Sequence, residues 1–291
     1  MKTKLILFAA SLILFACSND DGSTTPEEQN TVLKIKRFTS VSLDSNGTPN
    51  GEMTEYFFDD NGKKTKDHII YSSSEYFWEY SYNDRGQVTK KAHNHLNYPV
   101  DFVENYYYNE NNKPWVVFRD WDADGVAMDS ISFTYQPQQI NVQWFTPGQE
   151  RTEFYYNPSE VLTAVKHIGD LGIVSDEIIT YDNSLNITNL NLTTDYFNSE
   201  INHAYEYDGK INPFYDEFHN FPFNTYYFGY LFDHSLMMSP SNATKIIRTG
   251  TDTTENYILD ITYQYNDSNY PISSETTKDG VLVSRETYEY Y

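Results

Sequence analysis

The chain has 291 residues, with 42 acidic against 20 basic side chains, a formal charge of −22 and a single cysteine. A length near 300 allows one large β domain or two small ones and is ample to bury a core. The charge excludes phosphate-backbone binding, because proteins that hold nucleic acid need clustered Lys and Arg to displace counterions, so nucleic acid is not a partner. The 27 Tyr, 18 Phe and 4 Trp spread along the sequence supply the buried area that sparse aliphatics do not.

The chain begins Met1-Lys2-Thr3-Lys4 and continues as an apolar run from Leu5 to Ala16 broken only by Ser11. Two lysines followed by about twelve apolar residues make a secretory signal, since a bilayer span needs roughly twenty. The run ends Leu14-Phe15-Ala16-Cys17, which resembles a bacterial lipobox. That resemblance implies that residues 1–16 are removed and that lipidated Cys17 anchors the protein to a membrane. Cys17 is the only cysteine, so the chain holds no internal disulfide. Loss of Lys2 and Lys4 takes the formal charge to −24. Residues 17–31 then read as the lipidated Cys and a flexible acidic tether, because Ser18 to Asn30 carry nothing to bury. The early Asp20-Asp21 pair is similar to the surface-export signal of Bacteroidota lipoproteins, which implies the outer face of the outer membrane.

Residues 32–291 form one repeat-built β domain in this reading. Two aromatics flanking one residue, followed by Asp, Asn or Gln, recur as Tyr56-Phe57-Phe58-Asp59, Tyr80-Ser81-Tyr82-Asn83, Tyr106-Tyr107-Tyr108-Asn109, Phe133-Thr134-Tyr135-Gln136 and Phe154-Tyr155-Tyr156-Asn157. Ile179-Thr180-Tyr181-Asp182, Tyr205-Glu206-Tyr207-Asp208, Tyr263-Gln264-Tyr265-Asn266 and Tyr288-Glu289-Tyr290 continue the series at about 25-residue steps, with one step of 58. In a strand, residues i and i+2 share a face, so the rings define one side of a sheet and Glu79, Ser81, Thr134 and Glu206 the other. Turn residues follow each pair, as in Asp60-Asn61-Gly62 and Asp84-Arg85-Gly86, and a second turn falls midway, as in Asp44-Ser45-Asn46-Gly47. Each unit is therefore a hairpin, and the pattern predicts an antiparallel meander of about 18 strands.

Tyr-x-Tyr-Asp/Asn-x-x-Gly at this period resembles the YD-repeat proteins. With the lipoprotein start, Tyr207-Asp208-Gly209-Lys210-Ile211-Asn212-Pro213-Phe214 and Ser241-Asn242-Ala243-Thr244-Lys245, it is similar to a family of Bacteroidota lipoproteins described as porin-like in fold. The resemblance covers about residues 33 to 291 and departs where Gly is missing, as at Gln136-Pro137-Gln138-Gln139. It implies a large, rolled or barrel-like antiparallel sheet and brings no catalytic residues. A membrane-embedded barrel is the architectural rival. The charges Lys63, Lys64, Lys66, Asp67, Lys90 and Lys91, which lipid would then meet, oppose it.

The long step contains an aromatic insertion, residues 212–244. It reads as a plug for the rolled sheet, with an exposed ligand platform of Tyr215, Tyr226, Tyr227 and Tyr230 as the functional alternative. Asp120-Trp121-Asp122-Ala123-Asp124-Gly125 has the D-x-D-x-D-G spacing of a calcium loop, with Asp120, Asp122 and Asp124 as ligands. Ile131 stands where such a loop needs its bidentate Glu, so the segment reads first as a hairpin turn, and calcium is the one cofactor considered. His93-x-His95 alone has ligand-like spacing among the seven histidines, too few for zinc. No serine-nucleophile, zincin or phosphate-loop motif is present. The expectation is a lipid-anchored, cell-surface, non-catalytic binding module for a glycan or a protein. The alternatives are a structural accessory of an outer-membrane complex and a hydrolase of unrecognised type.

Overall fold

The computed structural model describes residues 32–71, 74–96, 102–121, 123–144, 150–169, 172–194, 199–220 and 235–291. The signal, Cys17 and the tether lie outside them. In chain order the strands are β1 (Ile35–Leu43), β2 (Pro49–Phe58), β3 (Lys64–Tyr71), β4 (Ser74–Tyr82), β5 (Val88–His95), β6 (Phe102–Tyr108), β7 (Pro114–Asp120), β8 (Asp129–Gln136) and β9 (Gln139–Trp144). They continue as β10 (Arg151–Tyr156), β11 (Leu162–Gly169), β12 (Gly172–Tyr181), β13 (Ile187–Thr194), β14 (Ser199–Ile211), β15 (Ser241–Gly250), β16 (Tyr257–Tyr265), β17 (Pro271–Lys278) and β18 (Val281–Tyr290), with a short helix, α1 (Tyr215–Asn220), between β14 and β15. Each strand pairs antiparallel with its neighbours in sequence, and β18 returns to β1, placing Tyr288 opposite Phe38 and Glu286 opposite Ser40. The sheet is a closed 18-stranded antiparallel barrel, and closure leaves no edge strand.

The repeat chemistry explains one end of this barrel. After β2, the Asp59 carboxylate accepts from the N–H groups of Asn61 and Lys63, Gly62 donates to the Asp59 carbonyl, and Asp59 N–H donates to Lys63. Asn83, Asn109, Asn157, Asp182 and Asn266 repeat the arrangement after β4, β6, β10, β12 and β16. The fourth turn position takes a left-handed backbone, which glycine fills at Gly62 and Gly86. Asn112, Glu160, Leu185 and Asn269 hold it without glycine, with φ between 59° and 67°. The strand register slips by one residue beside each turn, at Phe58, Tyr82, Tyr108, Tyr156, Tyr181 and Tyr265. The glycine-free turn Pro137-Gln138 also closes, with Gln138 at φ 60°.

In six of the nine repeats the closing aromatic is then latched. Tyr82, Tyr108, Tyr135, Tyr181, Tyr207 and Tyr290 donate their hydroxyls to the carbonyls of Lys64, Val88, Pro114, Leu162, Ile187 and Pro271 at 2.6–2.8 Å. Each acceptor is the first residue of the strand preceding that tyrosine's own. Phe58 lacks a hydroxyl, and the terminal Tyr291 donates to its carbonyl instead.

The insertion between β14 and β15 establishes which face is inside. Phe214 packs against Phe38, Phe58 and Tyr288 of β1, β2 and β18. Tyr215 and Met238 meet Tyr156, Leu162 and Tyr181 of β10, β11 and β12, and Ser239 bonds Ile187 N–H and Tyr207 on β13 and β14. β2 and β11 lie half a turn apart around the ring. A segment touching both crosses the concave side, so the ring face of the sheet lines the lumen and the insertion bars the end that carries the repeat turns. Lys34–Asp216 and Lys63–Glu217 ion pairs at 3.9 and 3.6 Å tie α1 to the same end. Residues 221–234 lie outside the described residues, so the plug reading applies to the flanks of the insertion, which ends where β15 begins at Ser241.

The outer face carries ion pairs between neighbouring strands: Lys166–Asp176 at 3.2 Å, Lys245–Asp260 at 3.5 Å and Arg285–Glu275 at 2.9 Å. One sequence-based argument changes here. Lys64, Asp67 and Lys91 face the lumen, with Lys64 and Lys91 over the rings of Tyr80 and Trp78, because the slip beside each turn moves the following strand by one side-chain position. Lys66 and Lys90 remain outside, and the ion pairs above, rather than those six charges, set the polarity of the wall.

Two outcomes follow from this construction. Glu160→Gly should stabilise the barrel by about 0.5–1 kcal/mol in a urea titration, because it relieves a left-handed glutamate at the price of some unfolded-chain entropy. Burial raises the phenols of Tyr82, Tyr135, Tyr156, Tyr181 and Tyr207 above their ordinary 10, and that of Tyr108 to about 12. The protonated form is the one the folded state favours, so this stability is complete below pH 10 and is lost as pH climbs above it. Phenolate absorbance should therefore appear together with loss of near-ultraviolet circular dichroism. A full tyrosine titration near pH 10 with the fold intact would contradict the burial.

Candidate functional site

The midway loops lie at the end opposite the described flanks of the insertion. Even-numbered strands start there and odd-numbered strands finish there, so the inward side chains of that rim are Tyr76 and Trp78 of β4, His93 and His95 of β5, Phe102 of β6 and Trp144 of β9, followed by Trp121 just past β7. The rings form an arc. His93 lies 5.5 Å from Tyr76 and 4.5 Å from Trp78, Trp78 lies 5.8 Å from Phe102, and Phe102 lies 4.5 Å from Trp121. Arg119 sits between Trp121 and Trp144, its guanidinium carbon 5.3 and 4.8 Å from the two ring centres.

A row of charges backs the arc. Lys91 stands opposite Glu104, Glu104 opposite Arg119, and Arg119 opposite Asp129, on four successive strands. Arg119 grips Asp129 with two bonds of 2.5 and 2.6 Å, and Trp121 Nε1 donates to the same carboxylate at 3.2 Å. Tyr106 donates to Glu104 at 2.8 Å. Lys91, Glu104 and Arg119 are 7%, 0% and 3% exposed, whereas Trp121 is 42% exposed. Burial pulls the Lys91 ammonium below its ordinary value while the neighbouring Glu104 carboxylate opposes that shift. The charges alternate in sign along the wall, and of the rings beside them Trp121 is exposed while Phe102 is buried.

On the other half of the rim, Thr152 lies 3.1 Å from His167 Nδ1, His167 Nε2 is 3.5 Å from Glu177, and His203 faces the lumen beside Arg248. Burial, reinforced by Arg248, lowers His203 to about 4 and keeps it neutral. Thr152 and Glu177 are buried, which withholds this trio from a substrate.

The residues singled out from the sequence lie elsewhere. Tyr215 is half-buried at the plugged end, on a cavity of about 80 Å³ shared with Tyr156, Leu162, Tyr181, Leu185 and Met238. Tyr226, Tyr227, Tyr230, Asp122 and Cys17 are outside the described residues. Asp120 and Asp124 each give a carboxylate oxygen to their own loop, Asp120 to Gly125 N–H at 2.7 Å and Asp124 to Val126 N–H at 2.8 Å. Among the described residues no three His, Cys, Asp or Glu converge as metal ligands. His93 and His95 do share the lumen face, where His93 packs among rings. The tryptophan arc was the missed feature. Its signal was the inward parity of Trp78, Trp121 and Trp144 near strand ends away from the repeat turns.

No family model matches this sequence, and no curated protein does. Solved structures with a similar course include a porin-like protein from Bacteroides uniformis ATCC 8492, at TM-score 0.47 and 13% identity over 88% of this chain and 98% of that one. A porin-like protein from Bacteroides vulgatus ATCC 8482 gives 0.34 and 13% over 78% of this chain and 98% of that one. A chain of the TcdB2-TccC3-Cdc42 complex gives 0.34 and 13% over 81% of this chain and 10% of that one.

The β7–β8 loop provides a test. Asp120→Ala should cost about 1–2 kcal/mol in urea titration, because Gly125 N–H loses its acceptor. EDTA should leave the wild-type Tm unchanged, and a fall in Tm on adding EDTA would assign the loop to calcium.

Proposed function

We propose that the chain is a lipid-anchored, non-catalytic binding module of the bacterial outer-membrane surface, and that its receptor is the ring-lined mouth opposite the plug. The observation that carries this reading is the arc of Trp78, Phe102, Trp121 and Trp144, backed by a buried row of charges of alternating sign, with Trp121 exposed. An exposed, fixed ring is what a binding module needs, since it recognises a ligand at little entropic cost. Ion pairs across the outer strands support a wall bathed in water, with Cys17 rather than the barrel meeting lipid.

A second reading, an accessory that docks on an outer-membrane protein, is favoured by one feature of the outer wall. Tyr107, Trp115 and Phe118 are exposed together on β6 and β7, with Tyr107 and Phe118 in edge contact at 5.5 Å.

Tryptophan fluorescence separates the two. Of the four tryptophans only Trp115 lies outside the mouth. In Trp115→Phe protein, cell-surface extracts should shield the remaining emission from acrylamide. Shielding seen in wild type but lost in Trp115→Phe would move the binding surface to the outer wall.

A further inference from the structure

We infer that the mouth takes an uncharged glycan chain, stacked on Trp121; this rests on the reading that the mouth is the receptor. Three features of the site select that class. The first is electrostatic. Lys91, Glu104, Arg119 and Asp129 alternate in sign on neighbouring strands and are buried or nearly so, so none of these four charges is presented to a ligand. A charged ligand entering it would shed its hydration with no counter-charge to meet. In a chain of formal charge −22, an acidic ligand is repelled at longer range as well.

The second feature is the fixed orientation of the platform. Trp121 is more than one-third exposed, yet its indole N–H is bonded to Asp129 and the Arg119 guanidinium lies against its ring. Asp129 is itself held by two bonds from Arg119. The ring is set before any ligand arrives. A flat, immobile indole suits the C–H face of a pyranose, whose hydroxyls point to the sides and stay hydrated. Trp144, on the other side of Arg119, continues the surface along the rim, so that a chain of sugars rather than a single residue fits the arc.

The third feature is width. Eighteen strands about 4.8 Å apart and tilted by about 40° enclose at most a circle about 35 Å across at the backbone. Side chains from both walls narrow this below the roughly 30 Å of a small folded domain. A linear chain enters where a globular partner does not.

The test uses the full mature lipoprotein in detergent, with Trp115→Phe as the background so that emission reports the mouth. Neutral malto-, xylo- and manno-oligosaccharides are titrated beside polygalacturonate and an apolar naphthalene dye, with acrylamide quenching as the readout. The expected result is saturable shielding by at least one neutral oligosaccharide, unchanged between low and high salt. Trp121→Ala should weaken it at least tenfold, and a cooperative urea transition should show that the variant is still folded. Trp121→Phe should recover part of the affinity. Dye entry without shielding by any neutral sugar would overturn the glycan assignment and leave the mouth reading intact. Salt-sensitive binding of polygalacturonate alone would overturn it too. Neutral sugar binding that leaves the mouth emission unshielded and is indifferent to Trp121→Ala would overturn both.

Discussion

A phenol buried against apolar neighbours has to donate its proton to something, and in this barrel that requirement locates one strand against the next. In six repeats the closing tyrosine buries its ring in the lumen face and finds at its tip the first carbonyl of the preceding strand, while Tyr265 donates to the Asp208 carboxylate. At Tyr108 and Tyr181 the register slips at the same residue, beside the Asn or Asp whose side chain folds the turn, whereas Tyr135 is latched without a slip. At Phe58, which has no hydroxyl, Tyr291 donates to the Phe58 carbonyl itself. A Phe in every repeat would bury as much area and leave those carbonyls to other partners.

The same lumen carries two chemistries in layers. Val88, Val117, Ile131, Phe154, Val165, Ile187 and Leu190 are almost fully buried and form a continuous apolar belt. Toward the mouth, polar and charged groups enter the wall in compensating pairs, and rings stand over them. The apolar belt supplies stability through burial. The upper tier spends part of that stability on groups whose value lies in holding tryptophans still. A membrane-embedded porin has the opposite arrangement, with its apolar band outside, so the shape of a barrel says little about the solvent it faces.

Much of this was legible from the sequence because the repeat is local. Tyr80-Ser81-Tyr82-Asn83 contains the ring pair, the polar alternate and the turn former within four residues, and its recurrence predicts both the strand number and the ring face. Glycine was a less faithful guide, since Asn112, Glu160, Leu185 and Gln138 all occupy left-handed positions. Which charges face inward was not legible: Lys64 and Lys91 look like surface lysines until the slip beside each turn is known. Ring density drew attention to residues 212–244, but density there serves packing against Phe38, Phe58 and Tyr181, at least along the described flanks. The mouth is assembled from Trp78, Trp121 and Trp144, which lie on separate repeats and share no local motif. Only the ring of strands brings them to one rim.

Closure itself has a consequence for how the protein comes to exist. β1 finds its second partner in β18, and Ser40 and Glu286, at opposite ends of the chain, sit side by side. Until the last hairpin has formed, the growing sheet has two open edges, each able to pair with any extended strand it meets. Its final contacts are as distant in sequence as the chain allows, the condition under which folding is slow. A nascent chain therefore cannot finish folding from its N-terminus as it emerges, and a chain shortened by a single C-terminal strand loses the seam rather than one eighteenth of the wall. Tyr288, Tyr290 and Tyr291 act as the fastener of that seam.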